Sequence, residues 1–270
     1  MQTQNQKDLD KSPERVKRMF GSIAPCYDFL NHFLSFGVDS SWRRKAVKIL
    51  VSEFAESGGI GALLDVCCGT GDLIREFVRA NKLPCEFCGI DFSDAMIDLA
   101  RKKLPSISNK LVVGDAMELP FYDGAFGLVS CAFGLRNICN TECGLREMIR
   151  VCKSGGVVAT LEFAMPQNQL IKYPYKLYFK YILPRIGELL TWNKNGAYNY
   201  LHQSVINFDN PKTISEKMQQ LGLNEIKIIP MTFGIANLIY GKKIFDKLSN
   251  TNSPNNFLAV NRSNILSNKK

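Results

Sequence analysis

The chain has 270 residues, of which 46% are hydrophobic, and this is enough apolar material for one large domain with a full core. That composition excludes a chain that is disordered throughout, and no stretch runs long enough without charge to cross a bilayer. Residues 1–11 form a polar tail without an apolar stretch, so we expect a cytoplasmic protein. The nine cysteines are scattered, and we expect reduced thiols rather than a disulfide framework or a metal site.

The positive charge is concentrated at the C-terminal end. The net charge is +9, and the stretch from Gly241 onward has six basic residues against Asp246. The body of the chain is therefore only mildly basic, and we expect no nucleic-acid partner. Residues 246–270 lack hydrophobic periodicity, which predicts a disordered basic tail that can touch anionic lipid head groups.

Two helices are predicted before residue 58. Ser12, Pro13 and Glu14 form a helix start, and the apolar residues after them have helical spacing. A second helix is predicted to begin near Trp42. The segment between them carries both aromatic and polar side chains, so we expect residues 12–58 to form a helical lid.

From Ala62 onward, predicted strands alternate with predicted helices. The strands are expected at 62–67, 86–90, 111–114, 126–132 and 157–163, and the helices at 72–80, 93–104 and 141–152. This rhythm is typical of an α/β fold with a doubly wound, mostly parallel sheet. Ligands of such sheets bind beyond the carboxyl ends of the strands.

The rest of the chain adds an insertion and a hairpin. Residues 166–204 are rich in aromatic side chains interleaved with lysines, and we expect them to cover the substrate; two amphipathic helices with solvent-facing lysines are the alternative. A helix is predicted to begin near Pro211. Two β-rich runs, 225–233 and 235–241, then predict an antiparallel hairpin, which gives a seven-stranded sheet with an antiparallel last strand. The whole domain is expected to span residues 12–245.

A strand that breaks into glycines is the most informative motif. An apolar strand runs through Asp65 and is followed by Gly69, Thr70 and Gly71 before a helix begins. Glycines remove the Cβ atoms that would block a ligand, and the first amides of a helix face whatever is bound. Asp91 stands twenty residues beyond the last of these glycines, where a carboxylate accepts hydrogen bonds from both hydroxyls of a ribose.

The motif favours S-adenosylmethionine over a dinucleotide. A dinucleotide fingerprint needs another glycine where this chain has Ile74. Asp65 disfavours a phosphate and suits the ammonium group of an amino acid. The arrangement resembles the first motif of class I S-adenosylmethionine-dependent methyltransferases, which have a Rossmann-like fold, although Cys67 replaces their usual first glycine. A tight turn without a ligand is the alternative.

Three residues complete the predicted cofactor site. Asp115 follows the third strand, where its carboxylate accepts from the exocyclic amine of adenine, and the amide of Ala116 donates to a ring nitrogen. Ala132 ends the fourth strand at the same edge of the sheet. An aspartate that only caps the next turn is the alternative for Asp115.

Several longer motifs resemble one family, the ubiquinone/menaquinone biosynthesis C-methyltransferases. They are Tyr27-Asp28-x-x-Asn31, Ser35-Phe36-Gly37 with Trp42, Phe133-Gly134-Leu135-Arg136-Asn137, Arg150-Val151-x-Lys153-x-Gly155-Gly156 with Leu161-Glu162-Phe163, Leu183-Pro184-Arg185-Ile186-Gly187 and Tyr200-Leu201-x-x-Ser204. The resemblance runs from about Val16 to Lys243. The chain departs from the family at Asp39, where His is common, at Ser154 and at Ala164.

The resemblance implies C-methylation of a polyprenylated quinol, such as demethylmenaquinol or a methoxy-polyprenyl-benzoquinol. The ring carbon becomes nucleophilic when the phenol loses its proton, so the site needs a base or water relay and a cation that holds the phenolate. Arg136 is the candidate cation, and its pairing with a neighbouring carboxylate is the alternative. Asn137 is the candidate for the group that orients a water or the substrate oxygen. No metal is required. Further candidates on the quinol side are Tyr27, Asp28, Asn31 and Tyr200.

Two other functions compete with this one. The net positive charge of the chain suggests an RNA methyltransferase, but the segment after the fourth strand lacks the Pro-Pro-aromatic turn that is typical of base-amine methylation. A methyltransferase that acts on another small molecule is a further alternative. A lipid-quinone carrier that has kept the fold without activity is the non-enzymatic alternative. The expected substrate partitions into lipid, so we predict weak peripheral contact of the protein with the inner face of the membrane. The sequence is also compatible with a homodimer.

Overall fold

We describe a computed structural model, which covers residues 11–35, 37–59, 61–80, 85–177, 181 and 197–244. The predicted tails at 1–10 and 246–270, Phe36, and the motif at 183–187 lie outside the described residues. The domain boundaries at residues 12 and 245 therefore stay predictions. Within the described part of the chain, no helix combines the length and the apolar character that crossing a bilayer would require.

The centre of the fold is one seven-stranded sheet with the strand order β3-β2-β1-β4-β5-β7-β6. Its strands are β1 Ala62–Val66, β2 Phe87–Asp91, β3 Leu111–Val113, β4 Phe126–Ala132, β5 Cys152–Phe163, β6 Leu223–Met231 and β7 Ala236–Lys243. The first five strands pair in parallel, whereas β7 lies antiparallel between β5 and β6. The predicted α/β sheet with an antiparallel last strand is confirmed.

Nine helices are described around the sheet. They are α1 Pro13–Ile23, α2 Tyr27–Leu34, α3 Val38–Glu56, α4 Asp72–Ala80, α5 Asp94–Lys103, α6 Thr141–Val151, α7 Gln169–Leu177, α8 Ala197–Ile206 and α9 Pro211–Gln220. The sequence did not predict α2, and α3 begins four residues earlier than expected. Gly37 explains both differences, because its positive φ of 74° ends α2 and allows α3 to begin at once.

Alternate residues of the strands enter two separate cores. In β1, Leu64 and Val66 pack on the face that α6 and α9 cover, whereas Leu63 packs on the opposite face against α3 and α4. This alternation follows from the two-residue period of a strand. Because both faces are covered, the carboxyl-end edge of the parallel strands is left as the place for a ligand.

A buried hydrogen-bonded group joins α3 to the terminal hairpin. Glu53 Oε1 accepts from Tyr240 Oη and from Lys227 Nζ, each at 2.8 Å. Burial raises the pKa of Glu53, but the hydrogen bonds and charges of Lys227 and Tyr240 outweigh burial and leave the pKa below its ordinary value. The ionised carboxylate therefore stabilises the fold above its unfolded-state pKa, and this contribution is lost as the pH falls through its lowered pKa.

We expect Tyr240→Phe to destabilise the protein by about 1.5 kcal/mol, because it removes a buried hydrogen bond to a charged acceptor. Urea unfolding followed by circular dichroism measures the change. Tyr122→Phe is the matched control, since Tyr122 is 45% exposed. Equal unfolding free energies for the two variants would contradict the role of this hydrogen bond.

Candidate active site

A cleft of about 800 Å³, open to solvent, lies at the carboxyl ends of β1 to β4. The strand order reverses there, because β1 has β2 on one side and β4 on the other. The N-terminal helices close the opposite side. The residues that line it include Lys11, Phe20, Tyr27, Cys67, Gly69, Asp91, Phe92, Asp115, Ala116, Ala132, Phe133, Asn137 and Cys139.

The glycine loop after β1 forms one wall of the cleft. Gly69 has a φ of 54°, and its N–H donates to Asp91 Oδ2 at 2.9 Å. Gly71 has a φ of 82°, a conformation that residues with a side chain rarely adopt, and a Cβ atom there would lie 2.7 Å from Leu104 Cδ1 at the end of α5. Cys67 also has a positive φ, of 55°, which is the conformation that the usual glycine would adopt without strain.

Asp91 lies at the end of β2 and faces the cleft. Its Oδ1 accepts from the N–H of Ser93 at 2.9 Å, and its Oδ2 accepts from Gly69. Burial raises the pKa of Asp91, while the N–H groups of Ser93, Gly69 and Phe92 oppose this rise. A carboxylate oxygen can accept a second hydrogen bond, so both oxygens retain capacity for hydroxyl groups in the cleft.

Asp115 combines the two roles that the sequence left open. Its Oδ1 accepts from the N–H of Met117 at 2.8 Å, so it caps the turn after β3. The same side chain lines the cleft together with Ala116. Capping thus fixes the carboxylate in a position from which it faces the cleft.

Asp65 lies beneath the cleft and is 1% exposed. Its Oδ1 accepts from Ser130 Oγ at 2.9 Å. Burial raises the pKa of Asp65 to about 7, against the opposing effects of Ser130 and Arg43. A buried carboxyl group with this pKa gains stability from a cation placed beside it.

Thr70 and Asp28 are absent from the described lining of the cleft and belong to an ionic network. Thr70 Oγ1 donates to Asp28 Oδ1 at 2.5 Å, and Lys103 Nζ donates to Thr70 Oγ1 at 2.9 Å. Lys103 also pairs with Asp28 Oδ2 at 2.5 Å and with Asp72 Oδ1 at 2.8 Å. The network ties α2 to the glycine loop and to α5, so Asp28 links α2 to the rest of the fold.

Arg136 lies behind the cleft in the short turn Leu135–Asn137. It is 5% exposed, and its Nη1 forms an ion pair with Glu162 Oε1 at 2.7 Å. Its backbone N–H donates to Glu162 Oε2 at 3.2 Å, and the guanidinium carbon lies 5.3 Å from the ring centre of Phe163. Arg136 therefore pairs with a neighbouring carboxylate, which is the alternative that the sequence left open.

Asn137 comes from the same turn and reaches the cleft. Its Nδ2 donates to the carbonyl of Phe133 at 3.4 Å, to which Arg136 Nη1 also donates. Its Oδ1 is buried and accepts no hydrogen bond within the described residues. An orphaned acceptor of this kind suits a ligand hydroxyl or an ordered water.

The remaining candidates lie in different places. Tyr200 is buried on α8, which contacts the turn that carries Arg136, but it is absent from the described lining of the cleft. Asn31 and His202 have side chains outside the described part of the structure. Asp39 is buried and accepts from Ser35 and Arg43, so it holds the start of α3 together.

Sequence reasoning missed two lysines at the site. Lys103 was read only as part of a helix, and its partners at residues 28 and 72 are distant in the chain. Lys11 was assigned to the polar tail, yet it lines the cleft. Neither position carries a local pattern that could have revealed its role.

Comparison with known proteins identifies the family. A model of the ubiE/COQ5 methyltransferase family matches residues 7–243. The chain belongs to this family. The resemblance expected from the sequence motifs is thereby confirmed, and membership makes the chain a methyltransferase.

Similar proteins agree with this assignment. The ubiquinone/menaquinone biosynthesis C-methyltransferase UbiE of Geobacter sulfurreducens is 39% identical over 239 residues, which cover 87% of this chain and 91% of that protein. The demethylmenaquinone methyltransferase of Deinococcus radiodurans is 40% identical, with coverage of 87% and 95%. A crystal structure of a methyltransferase from Thermotoga maritima shares the fold, with a TM-score of 0.60 at 17% identity over 84% of this chain and 99% of that chain.

We expect Lys103→Met to loosen the lid of this methyltransferase, because Asp28 and Asp72 lose their shared cation. The predicted effect is several-fold faster proteolysis within residues 27–35 and a loss of about 1 kcal/mol of stability. Limited proteolysis with mass mapping measures it. Lys102→Met is the control, since Lys102 is exposed; identical cleavage of both variants would show that the network does not hold the lid.

Proposed function

We propose that this methyltransferase transfers the methyl group of S-adenosylmethionine to a ring carbon of a polyprenylated quinol in menaquinone or ubiquinone biosynthesis. The observation that carries the proposal is the similarity along 87% of the chain to proteins named for that reaction. The acceptor is demethylmenaquinol, a methoxy-polyprenyl-benzoquinol, or both.

The donor end of the cleft fits S-adenosylmethionine. Asp91 has carboxylate lone pairs open to ribose hydroxyls, and Asp115 is held by its turn so that it can accept from the adenine amine. Ala116 would donate its amide to the base, and the donor would run along Gly69 and Ala132. Asp65, buried with a raised pKa, is complemented by the ammonium group of the methionine moiety.

The chemistry depends on alignment and on exclusion of water. The donor supplies a methyl group on a sulfonium and leaves as a neutral thioether, while the ring carbon forms the new C–C bond and releases its proton to solvent. The chain contributes a largely apolar cleft, with Phe20, Tyr27, Phe92 and Phe133 in its lining. Such a lining keeps water from the reacting carbon and favours close approach of the two reactants.

Asn137 is our candidate for the acceptor side. Its Oδ1 can accept from the phenol O–H or from a water that removes the proton. We infer that Arg136, whose charge Glu162 already neutralises, acts as a positioning residue for Asn137 through the carbonyl of Phe133 that both donate to. Tyr200, on the helix that contacts this turn, and Asp28, through the lid, are retained as proposed supports of the acceptor side.

Transfer of labelled methyl to each reduced quinol tests the proposal. We expect product with at least one quinol, and Asn137→Ala should lower the rate about 10- to 100-fold because an oriented acceptor is lost. Calorimetry should show that Asn137→Ala binds S-adenosylmethionine with the same affinity as the wild type. Asn224→Ala, at an exposed position of β6, is the matched control.

One outcome would contradict this function. Donor binding without transfer to either quinol would redirect the search to RNA and to other small molecules. Asp91→Asn provides the check on the donor site, since it should weaken donor binding strongly while the fold persists. The absence of a nucleic-acid partner stays a prediction, and so does the formation of a homodimer.

We also propose weak contact with an anionic membrane through α7. The inner side of this helix is anchored by Tyr175, which is 8% exposed and packs near Val205. Its outer side presents Leu170, 84% exposed, and Tyr173, 69% exposed, with Lys172 and Lys176 beside them. Apolar side chains among cations match the head-group region of an anionic bilayer.

Co-sedimentation with anionic vesicles measures this contact. We expect binding at low salt that weakens at high salt, and a several-fold loss in the double variant Leu170→Ser with Tyr173→Ser. Val78→Ser is the control, because Val78 is a partly exposed residue of α4. Absence of binding at low salt would remove the membrane from the proposal.

A further inference from the structure

The cleft has two chemically different ends. The end beyond β2 and β3 carries Asp91, Asp115 and Ala116, and the proposed donor occupies it. The end beyond β4 carries Asn137 and Cys139 and is where an acceptor would meet the donor. An acceptor phenol that ionises there needs a nearby cation.

Arg136 is poorly suited to that task. Its guanidinium group and the carboxylate of Glu162 are both buried and form an ion pair at 2.7 Å. Recruiting Arg136 to a substrate anion would leave Glu162 as a buried charge without its partner, which is strongly unfavourable. The cation for the acceptor must therefore come from another residue.

Lys11 is such a residue. Its side chain is half-buried and lines the cleft at the end beyond β4. Within the described part of the chain, its ammonium group forms no hydrogen bond and no ion pair below 4 Å, so no described carboxylate neutralises it closely. Burial lowers the pKa of Lys11, and the positive charge of Arg136 lowers it further. The charges of Asp209, Cys139 and Glu162 oppose this change.

We infer that the ammonium group of Lys11 pairs with the ionised phenol oxygen of the acceptor and so selects acceptors that ionise at this position. The inference rests on the proposed function. The phenol gives its proton to water, Lys11 keeps its own protons, and the electron pair spreads into the ring. The ring carbon takes the methyl group as the C–S bond of the donor breaks and a neutral thioether leaves. The carbon then loses its hydrogen to water as a proton, and the phenol oxygen regains a proton from water. Groups that face Lys11 from the surrounding elements are Arg136, Cys139, Glu162 and Asp209.

A coloured phenol tests this pairing without any methyl transfer. The full chain, saturated with S-adenosylhomocysteine, is titrated with 4-nitro-1-naphthol, whose anion absorbs visible light. We expect the bound probe to ionise about one pH unit lower than the free probe, because an adjacent cation favours the anion. Lys11→Met should abolish that shift, Lys11→Arg should retain it, and Lys48→Met, at an exposed position of α3, should leave it unchanged.

Kinetics with the quinol supply the second readout. Lys11→Met should lower kcat/KM about tenfold near neutral pH and should recover toward alkaline pH, where the acceptor ionises without help, while donor affinity stays constant. A probe that fails to bind, or that ionises equally in the wild type and in Lys11→Met, overturns the inference. A normal probe shift without methyl transfer to any quinol would instead overturn the proposed function and leave the cation site standing.

Discussion

The buried ion pair between Arg136 and Glu162 fixes the turn at the β4 end of the cleft of this methyltransferase. It joins the turn after β4 to the end of β5, and breaking a buried pair of this kind typically costs about 3–5 kcal/mol. The turn it fixes carries Asn137 into the cleft. Because this pairing neutralises the charge of Arg136, the positive charge that remains in the described lining of the cleft is that of Lys11.

The donor side depends on a different principle. Asp91 and Asp115 are each held by backbone N–H groups, so the sheet and its turns place them before any ligand arrives. The helix α2, in contrast, is tied to the glycine loop and to α4 by side-chain charges around Lys103.

The sequence predicted the sheet and the common edge at which Asp91 and Asp115 lie, because both follow from local patterns. Parallel strands bring their carboxyl ends together, so Asp91 and Asp115 had to share one edge. The pairing of Arg136 with Glu162 depends on the register of β4 against β5, in which Ala132 lies beside Leu161, and no local pattern encodes that register. Lys11 and the helix α2 were missed because a single polar residue and an eight-residue segment carry too little periodicity.

Burial raises the pKa of Asp65 to about 7, so the charge beneath the cleft changes with pH near neutrality. Its folded-state pKa lies above the unfolded value, so this carboxyl group favours folding least once the pH has risen past about 7. A cationic ligand placed beside Asp65 would lower that pKa and relieve the penalty. Binding of such a ligand would therefore release protons and would weaken as the pH falls.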